Sequence, residues 1–297
     1  MANLFAGIEA GGTKFVCALG TSEGTIKEKI VIPTTTPQET MEHVVAFYKE
    51  KPIAALGIAS FGPVDPDPDS PHYGYITTTP KPGWNHFDIL GFMKNAFDIP
   101  MGFDTDVNGA ALGEYRWGAG KGLHTFLYIT VGTGIGGGAM VGGKLIHGLM
   151  HPEMGHIFIP HDTIHDPFKG SCPFHGDCLE GLANGPSIKE RWNVQSALDL
   201  PADHEAWDLE ADYLAAAISN YIMVLSPQKI ILGGGVMKQQ QLFPKIQMRV
   251  QQLLNGYIKH DTILNDIANY IIPPGLGDQS GICGAIALAE ASLQHHH

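Results

Sequence analysis

The chain has 297 residues, of which 44% are apolar, and a formal net charge of −12. That length exceeds one comfortable core and implies two domains or one domain of two halves. The acidic balance, with no basic stripe, excludes a nucleic-acid surface. No apolar run approaches the ~18–20 residues a membrane span needs.

The opening "MANLFAGIEAGGTKFVCAL" lacks a charged n-region and a small-residue cleavage site, so it does not read as a signal peptide. The expected compartment is the cytoplasm, where thiols stay reduced and paired cysteines more often hold metal than each other. Residues His295–His297 look like a purification-tag remnant and are set aside.

In chain order, "LFAGIEA", "FVCALG" and "TIKEKIVIP" read as strands, with "GGTK" turning between the first two. A helix over Pro37–Glu50 follows, capped by threonine and opened by proline. Ile53–Ser60 reads as a buried strand and "FGPVDPDPDSPHYG" as a breaker-rich loop. An amphipathic helix in "FDILGFMKNAFD" and a short strand in "IPMGFDTD" come next. A helix then runs from Asp106 to the glycines after Trp117.

The second half begins in the same way, with the strand Thr125–Gly132, the turn "TGIGGG" and a returning strand "AMVGGKLIHG". A long helix (Glu205–Leu225), a strand "KIILGGG", a helix near Gln239–Asn255 and a final apolar helix "SGICGAIALAEASL" complete the chain. The echo of strand, glycine turn and strand suggests a duplicated α/β domain, and the alternation of element types argues for α/β layers.

Three glycine clusters, Gly11–Lys14, Gly132–Gly138 and Gly233–Gly235, could let backbone N–H groups approach an anion closely. "GTGIGG" matches the dinucleotide pattern, but a strand follows it where a helix is required. "GAMVGGK" nearly spells a P-loop, yet Leu145 stands where serine or threonine should bind Mg²⁺. Two hairpins facing each other across a cleft would instead grip a nucleotide's phosphates from both sides. Each cluster has the plainer reading of a tight turn.

Asp106 stands at a strand-to-helix junction. It reads either as an N-cap or as a general base kept ionised by the helix dipole.

Further on, Cys172-x₂-His175-x₂-Cys178 offers three ligands suited to tetrahedral Zn²⁺. The plainer alternative is a surface loop with unpaired thiols. A fourth protein ligand would close the shell and make the metal structural. "HPEMGH" does not match the H-E-x-x-H zincin pattern. Cys17 and Cys283 lie in apolar runs and read as core.

Six segments, "EAGGTK", "GFDTDVNGAALGE", "VGTGIGGGAMVGGKL", "PEMGH", "CLEG" and "ILGGGVM", resemble the ROK sugar-kinase family in order and spacing. "TTTPKPGW" and "GSCPFHGDCLEGLANGP" look most like its zinc-containing fructokinases. The resemblance implies an actin-like ATPase (ribonuclease H-like) fold of two α/β domains flanking a nucleotide and sugar cleft. These would be residues 1–120 and 121–297, with the last helix able to pack back on the first domain.

The implied activity is Mg²⁺-dependent transfer of the ATP γ-phosphoryl to a hexose, with fructose expected. Asp106 would be the base, and Thr105, Glu153, His156 and Glu180 would meet the sugar. The implied ATP contacts are Gly11, Gly12, Thr13 and Lys14; Gly132, Thr133 and Gly134; Pro186; and Gly233, Gly234, Gly235, Val236 and Met237. His156 would be the fourth zinc ligand, with His151, His161 and His165 as rivals, and a homodimer is expected.

Two positions depart from the family pattern: Glu9 replaces an aspartate and Thr105 an asparagine. The alternatives are a broader hexokinase, mannokinase or glucokinase, a sugar-responsive repressor and a non-catalytic sugar binder. The repressor would need a DNA-binding extension ahead of the first hairpin.

Overall fold

The computed structural model describes residues 3–294, so His295–His297 lie outside the described residues. The N-terminal half is built on β1 (Leu4–Ala10), β2 (Lys14–Gly20), β3 (Ile26–Pro33) and β4 (Ile53–Ser60). Its helices are α1 (Pro37–Tyr48) and α2 (Ile89–Ala96), and a two-stranded ribbon pairs β5 (Tyr75–Ile76) with β6 (Phe87–Asp88). The strand β7 (Met101–Thr105) leads directly into α3 (Asp106–Trp117).

The second half carries β8 (Phe126–Val131), β9 (Ile135–Val141) and β10 (Lys144–Leu145), then α4 (Leu179–Ala183), α5 (Gly185–Trp192) and α6 (Ala206–Leu225). After these come β11 (Ile230–Gly233), α7 (Leu242–Leu254), α8 (Asp261–Leu264), α9 (Ile267–Tyr270), β12 (Ile271–Ile272) and α10 (Ser280–Gln294).

The two sheets share one plan. The first is ordered β3-β2-β1-β4-β7 and the second β10-β9-β8-β11-β12. In each, an antiparallel meander of three strands continues into two parallel ones. The parallel strands are buried on both faces, which explains their continuous apolar runs. One core joins Ile8, Phe15, Met41, Leu56, Trp84 and Met93, and a larger one joins Leu127, Ile129, Leu214, Ile218, Ile222 and Ile246.

The helix α3 lies between the sheets, touching β4 and β7 on one side and β8 and β9 on the other. The last helix, α10, packs against α3 and across β1, β2, β4 and β7, so the end of the chain covers the N-terminal sheet. Glycines make that approach possible. A Cβ at Gly57 would overlap the Ala285 carbonyl, one at Gly102 the Leu288 carbonyl, and one at Gly20 the Ile286 side chain. On the other side Gly113 meets Ser280 and Gly284 closely. Glu114, fully buried, accepts hydrogen bonds from Ala119 N (2.6 Å), Gly275 N (3.0 Å), Leu276 N (3.0 Å) and Ser280 Oγ (2.7 Å), and so laces α3 to the start of α10.

Two element readings need correction. The cluster Gly132–Gly138 is not one turn: only residues 132–134 turn, and β9 already begins at Ile135. Gly136 and Gly138 face Val107, and Gly137 faces Met154, at distances that leave no room for a Cβ. Close packing against α3 therefore selects glycine inside this strand. The returning strand then breaks at Gly142 and Gly143, both at positive φ, before the short β10. Near the C-terminus, Val236–Lys238 forms a 3₁₀ turn, and the helix expected from Gln239 begins at Leu242.

Since both sides of the α10 contact are backbone at Gly57, Gly57→Ala should lower unfolding stability by about 1–3 kcal/mol. A urea melt of the variant checks this, with Gly148→Ala as a control for a glycine at ordinary φ whose Cβ meets nothing.

Candidate active site and metal centre

The residue Asp106 is the first of α3, one position inside the helix. Its neighbour Thr105 is the N-cap, its hydroxyl accepting from Asn108 N at 3.1 Å. The capping reading of Asp106 is therefore displaced, and its carboxylate accepts only from Val107 N, at 2.9 Å. The dipole does not dominate either. Burial pushes the Asp106 carboxyl up to about 6, against smaller lowering effects from backbone hydrogen bonds. Such a group is still largely ionised at neutral pH and is a better proton acceptor than an exposed aspartate.

Two further carboxyls respond to Asp106. Glu9, at the end of β1, is pushed up to about 7 by burial and then by Asp106. Glu153 is also raised to about 7, by burial, then by Glu180 and Asp106. Glu9 and Glu153 belong to opposite halves, so Asp106 stands at the seam of the cleft.

The first hairpin closes with Gly11 N donating to Lys14 O (3.0 Å), and Thr34 Oγ donates to Gly11 O (2.7 Å). The second closes with Gly132 N to Gly134 O (2.9 Å), while Gly185 N donates to Gly132 O (2.7 Å) and ties it to α5. A cavity of about 880 Å³ joins these parts, lined by Lys14, Gly132, Thr133, Pro186, Gly235 and Val236. That volume suits a nucleotide-sized ligand.

Other expected contacts are not at its wall. Gly11, Gly12, Thr13, Gly134, Gly233 and Gly234 shape the turns behind it, and Met237 is buried in the second core. Lys189, Gln239 and the segment Val194–Leu198 line the cavity and were not legible as such. For Lys189 a signal exists: Asn184 caps α5 and Pro186 opens it, which puts a lysine three residues on along the same face.

The four proposed metal ligands converge. Single donor atoms of His156, Cys172, His175 and Cys178 all lie within 4.8 Å of one another. Tetrahedral ligation, with metal–sulfur ~2.3 Å and metal–nitrogen ~2.0–2.1 Å, requires sulfur-to-nitrogen edges of roughly 3.6 Å. The edges are Cys172 Sγ–His156 Nδ1 3.7 Å, Cys172 Sγ–His175 Nδ1 3.6 Å and Cys178 Sγ–His156 Nδ1 3.5 Å. The donor set fits a closed four-coordinate zinc site.

The rival histidines are engaged elsewhere. His161 bonds Asp177 and the Asp166 carbonyl, both at 3.0 Å; exposed His165 pairs with Asp162 at 2.7 Å; and His151 Nε2 meets Val64 N at 3.1 Å.

The cluster of four donors abuts Glu180. Its Oε2 accepts from Ile135 N (2.8 Å), at the exit of the second hairpin, and its Oε1 stands 3.9 Å from His156 Nε2. Across the cleft, His147 Nε2 bonds Asp104 Oδ2 at 2.8 Å, and Asp104 Oδ1 accepts from Thr105 N (2.7 Å) and Asn108 Nδ2 (2.9 Å).

The matching plan of the two sheets, with a hairpin in each facing a shared cleft, defines the actin-like ATPase (ribonuclease H-like) fold. The ROK family description matches residues 5–292, and this chain belongs to that family. A Bacillus subtilis relative is 52% identical, covering 98% of this chain and 97% of its own length. The fructokinase of Pediococcus pentosaceus is 46% identical over 98% of this chain and 99% of its own. Among solved structures, a ROK family glucokinase from Streptomyces griseus in complex with glucose and AMPPNP superposes with a TM-score of 0.76 at 24% identity. That alignment covers 97% of this chain and 100% of that one.

The His147–Asp104 hydrogen bond, opposed by partial burial, holds the imidazole above its ordinary pKa of ~6.5. The stabilisation is complete below the unfolded pKa and is lost as pH rises through the folded one. Asp104→Asn should bring the His147 titration back down, as read by imidazole NMR.

Proposed function

We propose that this chain is an ATP-dependent fructokinase. The observation that carries the reading is the position of Asp106, a half-buried carboxylate at the seam between the two hairpins and the Glu153 loop. The hairpin backbones of Gly11–Lys14 and Gly132–Gly134, with Lys14 and Thr133, hold the ATP phosphates. The adenosine side is formed by Pro186, Gly235 and Val236, with Gly233 and Gly234 shaping the turn behind them and Met237 packed into the core. Glu153, His156 and Glu180 orient the hexose by hydrogen bonds to its hydroxyls, while Thr105, expected beside them, is buried and caps α3 behind Asp106.

Asp106 takes the proton of the attacking hydroxyl, whose oxygen forms a bond to the γ-phosphorus as the bond to ADP breaks. Mg²⁺ bound with ATP supplies charge neutralisation on the phosphates. The oxygen donors of Glu9 and Asp106, which repel each other, suit such a hard cation.

His156, Cys172, His175 and Cys178 hold a structural Zn²⁺ that leaves no coordination position for chemistry. The four cysteines are free, which suits a reducing cytoplasm, and the working unit is a homodimer. No described helix is long and apolar enough to cross a membrane.

Support for fructose comes from relatives bearing that name at 43% to 46% identity. A second reading, a glucokinase or broader hexokinase, is favoured by the more distant relatives named glucokinases and by the solved neighbours. A ROK transcriptional regulator shares the fold with a TM-score of 0.76, so the fold does not choose between catalysis and regulation.

A coupled ADP-release assay across fructose, mannose and glucose decides, and fructose should show the highest kcat/KM. Absence of turnover on every hexose, with Mg²⁺ and Zn²⁺ supplied, overturns the kinase reading. Asp106→Asn should keep sugar binding by calorimetry and lower kcat by about 10²–10⁴-fold. Because burial raises the Asp106 carboxyl to about 6, the base is lost as pH falls. The wild-type kcat/KM should decline on the acid side below about pH 6–7, a limb shared by the interacting carboxyls. Metal analysis should find one zinc per chain, and Cys178→Ala should lose it, melt earlier and bind hexose more weakly. Unchanged hexose affinity in the zinc-free variant removes the coupling.

A further inference from the structure

The loop between β10 and the metal ligands crosses the cleft at a second point that the chemistry above does not use. His151 is almost fully buried, with 5% of its side chain exposed. Its ring contacts the N-terminal half through the segment Gly62–Val64, where Val64 N points at Nε2 from 3.1 Å.

That segment is rigidly held. Pro63 O accepts from both Thr77 N (2.8 Å) and Thr77 Oγ (3.0 Å), and Val64 bridges to Ile76. A Cβ on Gly62 would stand 3.5 Å from the imidazole Cε1, so the ring seats directly on glycine backbone.

The Val64 N–H is a donor and can only meet a lone pair. Nε2 is therefore unprotonated, and the neutral ring carries its hydrogen on Nδ1. Burial favours this neutral ring, against the raising influence of Asp104. The Nδ1 hydrogen faces Pro152 O at 3.5 Å and Glu153 Oε1 at 3.6 Å. One imidazole thus links a fixed amide of the N-terminal half to the backbone of the sugar-side loop at Pro152, with the Glu153 carboxylate next along the chain. Between His147 and His151 the loop makes its own tight turn, Gly148 N to Met150 O at 2.8 Å, with Leu149 fully exposed. The two histidines are the ends by which it is held across the cleft.

We propose that His151 is a positioning residue that anchors the sugar-side loop to the Gly62–Val64 segment, and that through this anchor it sets where Glu153 stands beside the hexose. The effect on substrate rests on the kinase reading above, whereas the anchor itself does not.

The two nitrogens can be tested separately. Gln places its amide oxygen near the Nε2 position and can still accept from Val64. Asn reaches only the Nδ1 position and loses Val64. His151→Ala and His151→Asn should raise the hexose KM by roughly 10-fold, equivalent to one lost hydrogen bond of about 1.4 kcal/mol. The ATP KM should hold, and His151→Gln should stay within about 3-fold of wild type.

Hydrogen exchange at the Val64 amide, measured without substrate, should lose protection in Ala and Asn and keep it in Gln. Equal Val64 protection in all four proteins overturns the anchor. Altered protection with an unchanged hexose KM overturns the orientation of Glu153. A wild-type protein that turns over no hexose fails the kinase reading, while the exchange result still decides the anchor.

Discussion

The seating of α10 on the first sheet is the contact from which the geometry of the site follows. A helix usually stands off a sheet by the length of its side chains, but here glycines in four strands let the α10 backbone come down to the sheet. The same helix presses against Gly109 and Gly113 of α3, and the buried Glu114 carboxylate spans the junction with four hydrogen bonds. The helix α3 is thereby held at a defined height between the sheets. Its first residue is Asp106, so the position of that carboxylate is set by packing further along its helix. An Arg116–Glu290 ion pair at the exposed edge adds little to such a contact.

The second half meets α3 by the same means. Gly136 and Gly138 in β9 let that strand approach Val107, and the exit of the hairpin is held by Glu180. This carboxylate touches a hairpin N–H and stands beside His156. The cluster of His156, Cys172, His175 and Cys178 is therefore mechanically continuous with the second hairpin. Burial raises the proton affinity of Glu9, Asp106 and Glu153, drawn from three separate elements, and the Asp106 charge adds to the rise at Glu9 and Glu153. A cation or a sugar hydroxyl between them relieves that repulsion, so the free site stores an electrostatic preference for its ligands.

Much of the fold was legible in the chain itself. The strand Ile53–Ser60, the helix beginning at Asp106 and the matching hairpins appear where apolar runs, caps and breakers place them. The donor triplet Cys172, His175 and Cys178 is also visible, because ligands within seven residues need only a local turn. The glycines were harder. A glycine in a turn and a glycine under a helix look alike in one dimension, so Gly136–Gly138 read as turn while β9 uses them for contact. Likewise Asp106 and Thr105 both suit a cap, and only the backbone dihedrals give that task to Thr105.

What the sequence determined by itself is local: the order of strands and helices and the chelating spacing of Cys172, His175 and Cys178. Those properties depend on residues within one or two turns of each other. The tertiary structure decided which carboxylates share a cleft, why Lys189 and Gln239 line the nucleotide-sized cavity, and how His151 comes to face Val64, 87 residues away. Distances of that kind arise from the packing of two sheets around α3 and α10. No pattern along the chain encodes them, because they depend on the volume each element excludes from its neighbours.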